Sequence, residues 1–476
     1  MKPFIGRRDE LRKLALLKKK GVASFVVLRG RRRIGKSRLI LEFGRSMPGY
    51  LFSGIPPQKQ TSRQGQLETF AGQMSRRFSL PPLKFQDWGE AFYYLGQQLT
   101  QGPALLALDE ISWIGSKDPD FLGHLKNAWD LYFSKNPELI LIVCGSISSW
   151  IDRNILSHTG FLGRISLDLH LKELSLEEAS LFWNAHTDKI GPYERFKVLS
   201  VTGGVPRYLE EIQPALAAEE NIRQLCFDES GLLYREFESI FSDLFSDRAP
   251  HYVTVVELLA GGSKSLEELA KQAKRSRSLI STYLQDLIHA GFVTADPTWN
   301  IASMKSSRLR VYRLSDNYLR FYLKYIAPNR ERIVAGTFSP DSLATLPQWE
   351  TTMGLQFENL VLRNVRSLCQ PLHLPFTSIT RFGPYFQRPT ARHQGCQIDL
   401  LVQSKYRVLY LCEVKFSIDK IGIKVAREAE EKRGRLSLPR GWSYRMVLIH
   451  VNGVTGELLG DGTFDHIIDF GELLSG

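Results

Sequence analysis

The sequence predicts a multidomain α/β protein, and three observations indicate this fold class. The chain has 476 residues, which is more than a single hydrophobic core usually organises. Residues 1–165 alternate short, branched apolar runs with helical patterns, as parallel sheets with crossover helices do. Residues 350–476 mix strand and helix patterns a second time. We therefore expect a parallel sheet near the start of the chain and a separate α/β sheet near its end.

The same patterns predict where the domains begin and end. Between the two α/β regions the sequence is mainly helical, and it includes a compact unit of three short helices followed by a hairpin. A segment rich in Gly, Ser and Pro comes next and is expected to be a linker. The predicted divisions are a core at 1–165, a helical lid at 166–245, the compact helical unit at 246–332, a linker at 333–349 and a C-terminal domain at 350–476.

Composition and charge narrow the classes of protein to which the chain can belong. Hydrophobic residues make up 43% of the chain, which excludes wholesale disorder. The formal net charge of +12 favours polyanionic partners, although a charge of this size is also common in ordinary soluble proteins. The five cysteines lack metal-ligand spacing, so we expect reduced thiols. No signal-peptide core opens the sequence, and charges interrupt every apolar stretch before membrane-spanning length. These observations predict a cytoplasmic protein with no membrane partner.

The first candidate site is a glycine-rich loop between a predicted strand and a predicted helix. The stretch "GRRRIGKS" fits the pattern GxxxxGK[ST] of P-loop NTPases. Its glycines let the backbone curl so that N–H groups face phosphate, Lys36 would reach the β- and γ-phosphates, and the Ser37 hydroxyl would ligate Mg²⁺. The alternative is a chance glycine-rich turn. The residues expected to bind ATP are Gly30, Arg31, Arg32, Arg33, Ile34, Gly35, Lys36, Ser37 and Arg38.

Two acids after the apolar run "ALLAL" supply the second part of this site. Open α/β sheets bind ligands at the carboxyl ends of their strands, which is where Asp109 and Glu110 are predicted to lie. Asp109 would hold Mg²⁺ through water, and Glu110 would orient or deprotonate the attacking water. Alternatively, the two acids merely cap the next helix.

Several segments, in the same order along the chain, resemble the archaeal-type ATPases of the STAND branch of AAA-like P-loop proteins. The segments are "FIGRRDELRKL", "DEISWI", "LIVCGSISSWI", "LGRISLDLHLKELSLEEA" and "TGGVPRYLEEI". The resemblance implies an ATPase in which Ser146 is the polar sensor at a strand end. It implies that Arg164 is directed at the γ-phosphate, within its own subunit or across a homo-oligomer. It further implies that Pro206 contacts the nucleotide base and that Arg7 lines the adenine pocket.

The compact helical unit in the middle of the chain is predicted to be a winged helix. Residues 264–293 have apolar side chains at helical spacing in two successive helices, and "GFV" then enters a hairpin. The turn and the start of the second helix are basic, which suits a DNA backbone. Winged helices in the resembled family also pack as intramolecular switches, so both uses remain open. The basic residues are Lys271, Lys274, Arg275 and Arg277.

The C-terminal domain contains a second candidate site on a predicted β-hairpin. The runs "QIDLLVQ" and "VLYLCEVKF" are typical of two strands joined by the polar turn "SKYR". A turn centred near Lys405 places Asp399 opposite Leu411, on the same face as Glu413 and Lys415. Burying such charges costs free energy unless they are paired or bound. They form either a functional cluster or a salt-bridge cluster on a sheet face.

This Asp…Glu-x-Lys arrangement resembles the PD-(D/E)xK core of restriction-endonuclease-like proteins. The resemblance implies that Asp399 and Glu413 hold Mg²⁺ or Mn²⁺ by oxygen ligands and that Lys415 positions the attacking water. It also implies an acid from the preceding helix, which Glu358 of "GLQFENLVLRNV" supplies. Basic residues that suit a DNA backbone, or equally a solvated surface, are Arg381, Arg388, Arg392, Lys420, Lys424 and Arg427.

The two sites lead to one principal functional hypothesis and one alternative. In the first, the chain is a switch that binds and hydrolyses ATP, binds DNA, and cleaves phosphodiester bonds in a metal-dependent reaction. In the second, it is a nucleotide-gated regulatory or signalling module whose nuclease-like domain binds DNA or protein without cleaving. A DNA-translocating motor would need a ring or helical assembly, for which the sequence shows no signature.

Overall fold

The chain forms two compact units, Met1–Lys172 and Glu173–Gly476. The structure, a computed structural model, describes residues 3–56, 61–146, 148–245, 248–338, 340–389 and 394–475. Arg392, which the sequence suggests as a DNA-backbone contact, lies outside the described residues. In these ranges, no helix is both long enough and apolar enough to cross a membrane.

Parallel strands form the sheet of the first unit. In its described part the strands are β1 (Ser24–Arg29), β2 (Gly49–Ser53), β3 (Ala104–Asp109), β4 (Leu139–Gly145) and β5 (Ile165–His170). Their spatial order is β2-β3-β4-β1-β5, and every neighbouring pair runs parallel. The accompanying helices are α1 (Arg8–Leu17), α2 (Lys36–Phe43), α3 (Arg63–Phe78), α4 (Trp88–Gln98), α5 (Ile111–Ile114), α6 (Phe121–Leu131) and α7 (Ser148–Ile151).

Apolar side chains cover both faces of this sheet. Phe25 and Val27 of β1 belong to one buried cluster, whereas Val26 and Leu28 belong to another. A strand that is buried on both faces needs apolar residues at successive positions, which explains the near-continuous apolar runs in the sequence. The predicted α/β class is confirmed, and a parallel sheet with a phosphate loop directly after β1 is the architecture of P-loop NTPases.

The apolar runs of the sequence do not predict two of the strands in this sheet. β2 and β5 lie at the two edges, and most of their residues are partly buried or exposed. An edge strand has one neighbour instead of two, so it lacks the unbroken apolar run by which the central strands are recognised. β5 begins at residue 165, and the first unit extends to Lys172, past residue 166, where the lid is predicted to begin.

Helices dominate the first half of the second unit. The predicted helical stretch begins at Ser175, which forms a capping box with Glu178 as their spacing predicts. The helices that follow are α8 (Leu176–Ser180), α9 (Pro192–Thr202), α10 (Pro206–Leu209), α11 (Ala218–Cys226), α12 (Leu232–Phe245), α13 (Ala249–Ala260), α14 (Leu266–Gln272) and α15 (Arg277–His289).

The last three of these helices and a hairpin form the compact helical unit. The hairpin consists of the antiparallel strands β6 (Val293–Trp299) and β7 (Ser306–Leu314), and α16 (Asn317–Phe321) and α17 (Arg330–Val334) follow it. This order of elements is the one expected of a winged helix. The four basic side chains singled out in its turn and second helix are exposed.

A mixed sheet forms the C-terminal part of the second unit. Its strands within the described residues are β8 (Ile379–Gln387), β9 (Cys396–Ser404), β10 (Val408–Lys415), β11 (Ser443–His450) and β12 (His466–Asp469). The spatial order is β12-β11-β10-β9-β8, with antiparallel pairing from β8 to β10 and parallel pairing from β10 to β12. The helices here are α18 (Trp349–Arg363), α19 (Lys424–Arg435), α20 (Gly456–Asp461) and α21 (Phe470–Ser475).

One hydrophobic cluster extends through the second unit and includes residues of both the compact helical unit and the C-terminal sheet. The segment 333–349, whose composition predicts a linker, contributes Leu343, Leu346 and Trp349 to this cluster. Proline and serine break the helical periodicity there without preventing burial of the neighbouring apolar residues. The segment is therefore packed, and the finer division of residues 166–476 into domains stays a prediction.

The predicted hairpin forms between β9 and β10, but in a different register. Leu401, and not Asp399, pairs with Leu411. The turn therefore centres one residue later than Lys405, and the pairing shifts by two residues. An even shift keeps every side chain on its predicted face of the sheet. The alternation of residue types predicted the face correctly but did not determine the register.

Candidate functional site

The loop between β1 and α2 has the backbone conformation that a phosphate-binding loop requires. Gly30, Arg33 and Gly35 all have positive φ angles, at 152°, 69° and 91°. A Cβ added at Gly30 would lie 2.6 Å from the carbonyl oxygen of Leu171, so a larger residue would clash with backbone. α2 begins at Lys36, directly after the loop, and its N-terminus is thus available to an anion.

Lys36 is held at the centre of this loop by three oxygen atoms. Its Nζ donates to the carbonyl oxygens of Gly30 at 3.0 Å and Arg31 at 3.1 Å, and to the Ser146 hydroxyl at 2.9 Å. The side chain is buried, and desolvation is the main cause that lowers the pKa of its ammonium. An ammonium held in this way can exchange its carbonyl partners for phosphate oxygens.

Ser146, at the end of β4, connects the lysine to an acid. Its hydroxyl donates to Glu110 Oε1 at 2.7 Å, and its backbone N–H donates to Glu110 Oε2 at 3.1 Å. Glu110 follows β3 and has a left-handed φ of 51°, an uncommon conformation for a residue other than glycine. The structure thus joins Lys36, Ser146 and Glu110 in one hydrogen-bonded chain.

The two residues expected to hold Mg²⁺ are also in contact. The Ser37 hydroxyl donates to Asp109 Oδ2 at 2.6 Å, and the buried Cys144 thiol donates to Asp109 Oδ1 at 2.7 Å. A hydroxyl and a carboxylate side by side are oxygen donors of the kind Mg²⁺ prefers. The residues present therefore fit a magnesium ion. The contact of Cys144 was not predicted, because an apolar strand gives no indication of which thiol meets the acid on the next strand.

Arginine side chains lie in and beside the phosphate loop, and they differ in how deeply they are buried. Arg7 is buried and donates to the carbonyl oxygens of Ile34, at 3.0 Å, and Lys172, at 2.6 Å. It therefore positions the phosphate loop, and the adenine contact implied for it stays a prediction. Arg31 is buried, and Arg32, Arg33 and Arg38 are partly buried.

Arg164 forms a bidentate ion pair with Asp130 of α6. Its Nε and Nη2 donate to the two carboxylate oxygens at 2.7 Å and 2.8 Å. Hydrogen bonding from Arg164 is the first cause that lowers the pKa of Asp130 from 3.8 to about 2. The direction of Arg164 toward a γ-phosphate stays a prediction. Pro206 is the first residue of α10 in the second unit, and its contact with a base also stays a prediction.

The second site lies on the face of the C-terminal sheet that packs against α19. Lys415 Nζ lies 3.1 Å from Glu413 Oε1 and 3.5 Å from Glu428 Oε2. Asp399 Oδ2 accepts a hydrogen bond of 3.0 Å from the backbone N–H of Val414. The predicted trio of Asp399, Glu413 and Lys415 is therefore gathered in one place.

An additional lysine, absent from the sequence-based site, completes this cluster. Lys432 of α19 places its Nζ 2.7 Å from both carboxylate oxygens of Glu413 and 3.8 Å from Asp399 Oδ1. Glu413 is only 4% exposed, so this ammonium is the principal compensation for a buried negative charge. The available signal was the spacing of Glu428 and Lys432, which places both on one helix face.

The carboxyl groups of the second site influence one another. Burial is the main cause that raises the pKa of Asp399 to about 7, and the negative charges of Glu413 and Glu358 raise it further. Burial is likewise the first cause that raises the pKa of Glu358, and Glu413 raises it further. Glu358 of α18 thus influences the other acids electrostatically, and its role in the second site stays a prediction.

The donor atoms of this site suit a hard divalent cation. Asp399 Oδ1 and both Glu413 oxygens converge on the Lys432 ammonium, and Glu413 Oε1 also faces Lys415. Carboxylate oxygens are the ligands that Mg²⁺ and Mn²⁺ prefer. Among the described residues, no group of three or more His, Cys, Asp and Glu side chains is arranged to hold a metal ion. Two carboxylates, those of Asp399 and Glu413, are therefore placed to bind a cation, and Glu358 is not among the groups that converge there.

Several solved structures are similar to this chain. A Walker-type ATPase of Pyrococcus abyssi has a TM-score of 0.49 and 17% sequence identity, covering 67% of this chain and 96% of its own. The ORC2 protein of Aeropyrum pernix, in ADPNP–ADP complexes, has a TM-score of 0.42 and 15% identity, covering 70% of this chain and 95% of its own.

Sequence comparisons give a family match and a curated relative. Residues 322–430 match the DUF234 family, described as archaea bacterial proteins of unknown function. An uncharacterized protein of Methanocaldococcus jannaschii is 24% identical over 403 residues, covering 84% of each chain. Together with the phosphate loop and the parallel sheet, these matches support the resemblance to archaeal-type ATPases that the motifs indicate.

Proposed function

We propose that the first unit binds ATP with Mg²⁺ and hydrolyses it. The observation that carries this proposal is the hydrogen-bonded chain from Lys36 through Ser146 to Glu110, beside the contact of Ser37 with Asp109. These side chains come from the loop after β1 and from the ends of β3 and β4, so they meet at the carboxyl edge of the sheet.

The chemistry of this site follows from the contacts of its own residues. Lys36 would exchange the carbonyls of Gly30 and Arg31 for β- and γ-phosphate oxygens and keep its contact with Ser146. Glu110, oriented by both hydrogen bonds from Ser146, would accept a proton from the attacking water. Ser37 and Asp109 would hold Mg²⁺, which supplies positive charge to the phosphates when bound.

Nucleotide binding by Lys36→Ala tests this assignment. We expect an affinity for a fluorescent ATP analogue at least about tenfold weaker than that of the wild type, because the neutral side chain cannot contact phosphate. Lys13→Ala is the matched control, since Lys13 is an exposed lysine of α1 in the same unit. Wild-type affinity in the Lys36 variant would contradict the proposal.

We further propose that the second unit binds DNA and cleaves phosphodiester bonds with Mg²⁺ or Mn²⁺. Support comes from the convergence of Asp399, Glu413 and Lys415 on one face of the C-terminal sheet. Asp399 and Glu413 would hold the cation, which polarises the phosphodiester when bound. Lys415, which is 35% exposed, would orient water or stabilise developing charge.

A nuclease assay with Lys415→Ala tests the second activity. Linear, circular and branched DNA are incubated with Mg²⁺ or Mn²⁺, with and without ATP, and we expect product only with the wild type and the control. Lys405→Ala is the control, because Lys405 is exposed at the turn of the same hairpin. Equal inactivity of all variants under every condition would remove the nuclease proposal and leave the ATPase proposal intact.

DNA contact by the compact helical unit is a separate part of the proposal. Lys271, Lys274 and Arg275 are exposed around the turn before α15, which suits a phosphate backbone. Replacing all three by alanine should weaken DNA binding and make it less dependent on salt, as measured by fluorescence anisotropy at several salt concentrations. An unchanged salt dependence would indicate that this unit serves internal packing.

One observation favours the alternative of a regulatory module that binds without cleaving. The Lys432 ammonium already neutralises Glu413, so the charge of this buried carboxylate is compensated without a metal ion. Calorimetry of Mn²⁺ binding distinguishes the alternatives. Binding by the wild type that is lost in Asp399→Ala supports the metal-dependent enzyme, and absence of binding by the wild type supports the regulatory module.

A further inference from the structure

Lys432 has the strongest contacts of any charged group in the second site. Its Nζ lies 2.7 Å from each oxygen of Glu413, whereas Lys415 Nζ lies 3.1 Å from one of them. Lys432 also faces Asp399 Oδ1 at 3.8 Å. The oxygen atoms that would ligate a metal ion are therefore the same ones that surround this ammonium.

The remaining contacts hold these oxygens in place around Lys432. Asp399 Oδ2 is engaged by the Val414 N–H, which leaves Oδ1 directed at the lysine. Lys415 has a second partner in Glu428, so it does not depend on Glu413 alone. The carboxylates are consequently arranged before any metal binds, with an internal cation between them.

A divalent cation and this ammonium cannot share the position. A metal ion bound at about 2.1 Å from the Glu413 oxygens would lie where the Lys432 Nζ lies, and the two positive charges would repel each other. We propose that Lys432 is an internal counter-ion of the metal site and that a divalent metal ion binds by displacing it. This inference rests on the proposed metal-dependent function of the same residues.

Once displaced, the Lys432 side chain can reach solvent and can pair with a negatively charged group. Lys432 is 28% exposed on α19, and Lys424 and Arg427 of the same helix are exposed. A phosphate of bound DNA would accept the released ammonium. DNA should therefore strengthen metal binding by removing the competing cation from Glu413.

The test compares Mn²⁺ binding by the full chain carrying Lys432→Gln with the wild type, using calorimetry without DNA. We expect the Kd for Mn²⁺ to fall by about tenfold, because the competing ammonium is gone. Lys405→Gln is the matched control, since Lys405 is an exposed lysine at the turn between β9 and β10 of the same sheet. It should leave the Kd unchanged, and Glu413→Gln should abolish binding.

Thermal unfolding is a second measurement, and it does not require a binding constant for the metal ion. In a chelating buffer, Lys432→Gln should unfold at a lower temperature than Lys405→Gln, because two buried carboxylates lose their cation, and Mn²⁺ should restore the midpoint. Lys432→Arg, which keeps the charge, should bind Mn²⁺ no more tightly than the wild type. If Lys432→Gln folds only with Mn²⁺, that result also supports displacement.

The outcomes separate this inference from the function on which it rests. Wild-type Mn²⁺ binding combined with an equal or weaker affinity of Lys432→Gln overturns the displacement and keeps the metal site. Tighter binding by Lys432→Arg also overturns it. If neither the wild type nor Lys432→Gln binds Mn²⁺, both the displacement and the proposed metal site are overturned.

Discussion

Ser146 illustrates how a single hydroxyl can link two opposite charges at the residue scale. It accepts a hydrogen bond from Lys36 and donates one to Glu110, so the cation and the acid are oriented by the same atom. Such an arrangement keeps a general base aligned while the lysine contacts phosphate. Loss of the hydroxyl should therefore affect the chemical step more than nucleotide affinity.

We predict that Ser146→Ala slows ATP hydrolysis by about 10- to 100-fold, because Glu110 loses its hydrogen bond from the hydroxyl. Nucleotide affinity should change by less than about threefold, since Lys36 keeps its charge. Single-turnover hydrolysis and binding of a fluorescent analogue measure the two quantities. A large loss of affinity with an unchanged rate would contradict this division of roles.

A second prediction at this scale concerns Asp130, whose pKa is lowered to about 2 by Arg164. A lowered carboxyl pKa contributes stability above the unfolded value, and that contribution disappears as the pH falls toward the folded value. Asp130→Asn should thus cost up to about 1 kcal/mol near neutral pH, because the pair is largely solvated, and progressively less below about pH 4.

Urea unfolding at a series of pH values checks this expectation. Asp120→Asn is the control, because Asp120 is an exposed acid that precedes the same helix, α6. A difference between Asp130→Asn and the wild type that grows as the pH falls would contradict the assigned direction of the pKa shift.

The sequence was informative about individual residues wherever the chemistry is local. The spacing within Gly30–Ser37 predicted the loop, and the resemblance predicted Ser146, whose contacts the structure then supplies. Lys432 and Cys144 could not be predicted in this way. Their partners lie on other elements, so their roles depend on how a helix packs on a sheet and how two strands align.

At the scale of elements, α18 has contacts on two sides. It carries Glu358, and its Gln356 and Asn359 hydrogen bond with buried arginines. Arg313 belongs to β7 and Arg320 to α16, so both belong to the compact helical unit. The helix that carries Glu358 is thus fixed by polar contacts to the hairpin strand β7 and to α16.

We predict that Asn359→Ala destabilises the second unit by about 2 kcal/mol, because Arg313 and the Leu314 carbonyl lose a buried partner. Urea unfolding of residues 173–476 measures the change. Thr351→Ala, an exposed position on the same helix, should alter stability by less than about 0.5 kcal/mol. Equal effects of the two substitutions would indicate that the buried network contributes little.

Sequence patterns predict the strands whose two faces are both buried, and they miss the strands that are only partly buried. β1, β3 and β4 are apolar on both faces and were expected, whereas the edge strands β2 and β5 were not. The hairpin of β9 and β10 was expected, but its register shifted by two residues, since alternation repeats with that period. Packing against neighbours, which no single segment encodes, decides both features.

At the scale of the whole molecule, each of the hydrophobic clusters described above lies within one of the two units. Among the residues that the structure describes, two clusters lie entirely within residues 1–172, and two others lie entirely within residues 173–476. Each unit therefore contains the apolar residues needed for its own core. The finer division of residues 166–476 stays a prediction, and segment 333–349, whose composition predicts a linker, contains buried apolar residues.

We predict that residues 1–172 and residues 173–476 each fold when expressed alone. Circular dichroism and cooperative unfolding measure folding, and Mn²⁺ calorimetry of the second fragment measures its site. A fragment of residues 246–332 should fold poorly, because its apolar residues belong to a cluster that continues into the C-terminal sheet. Cooperative unfolding of that short fragment would show that the shared cluster is dispensable.

The two hydrogen bonds between α18 and the buried arginines have a consequence for how this helix can evolve. Asn359 can change without loss only if Arg313 changes with it, and Gln356 is tied to Arg320 in the same manner. If Glu358 takes part in the proposed reaction, relatives that lose this reaction can replace Glu358 and still keep Gln356 and Asn359. Substitution of Glu358 alone, with the amide and arginine partners unchanged, would then identify relatives that retain the fold without the proposed activity.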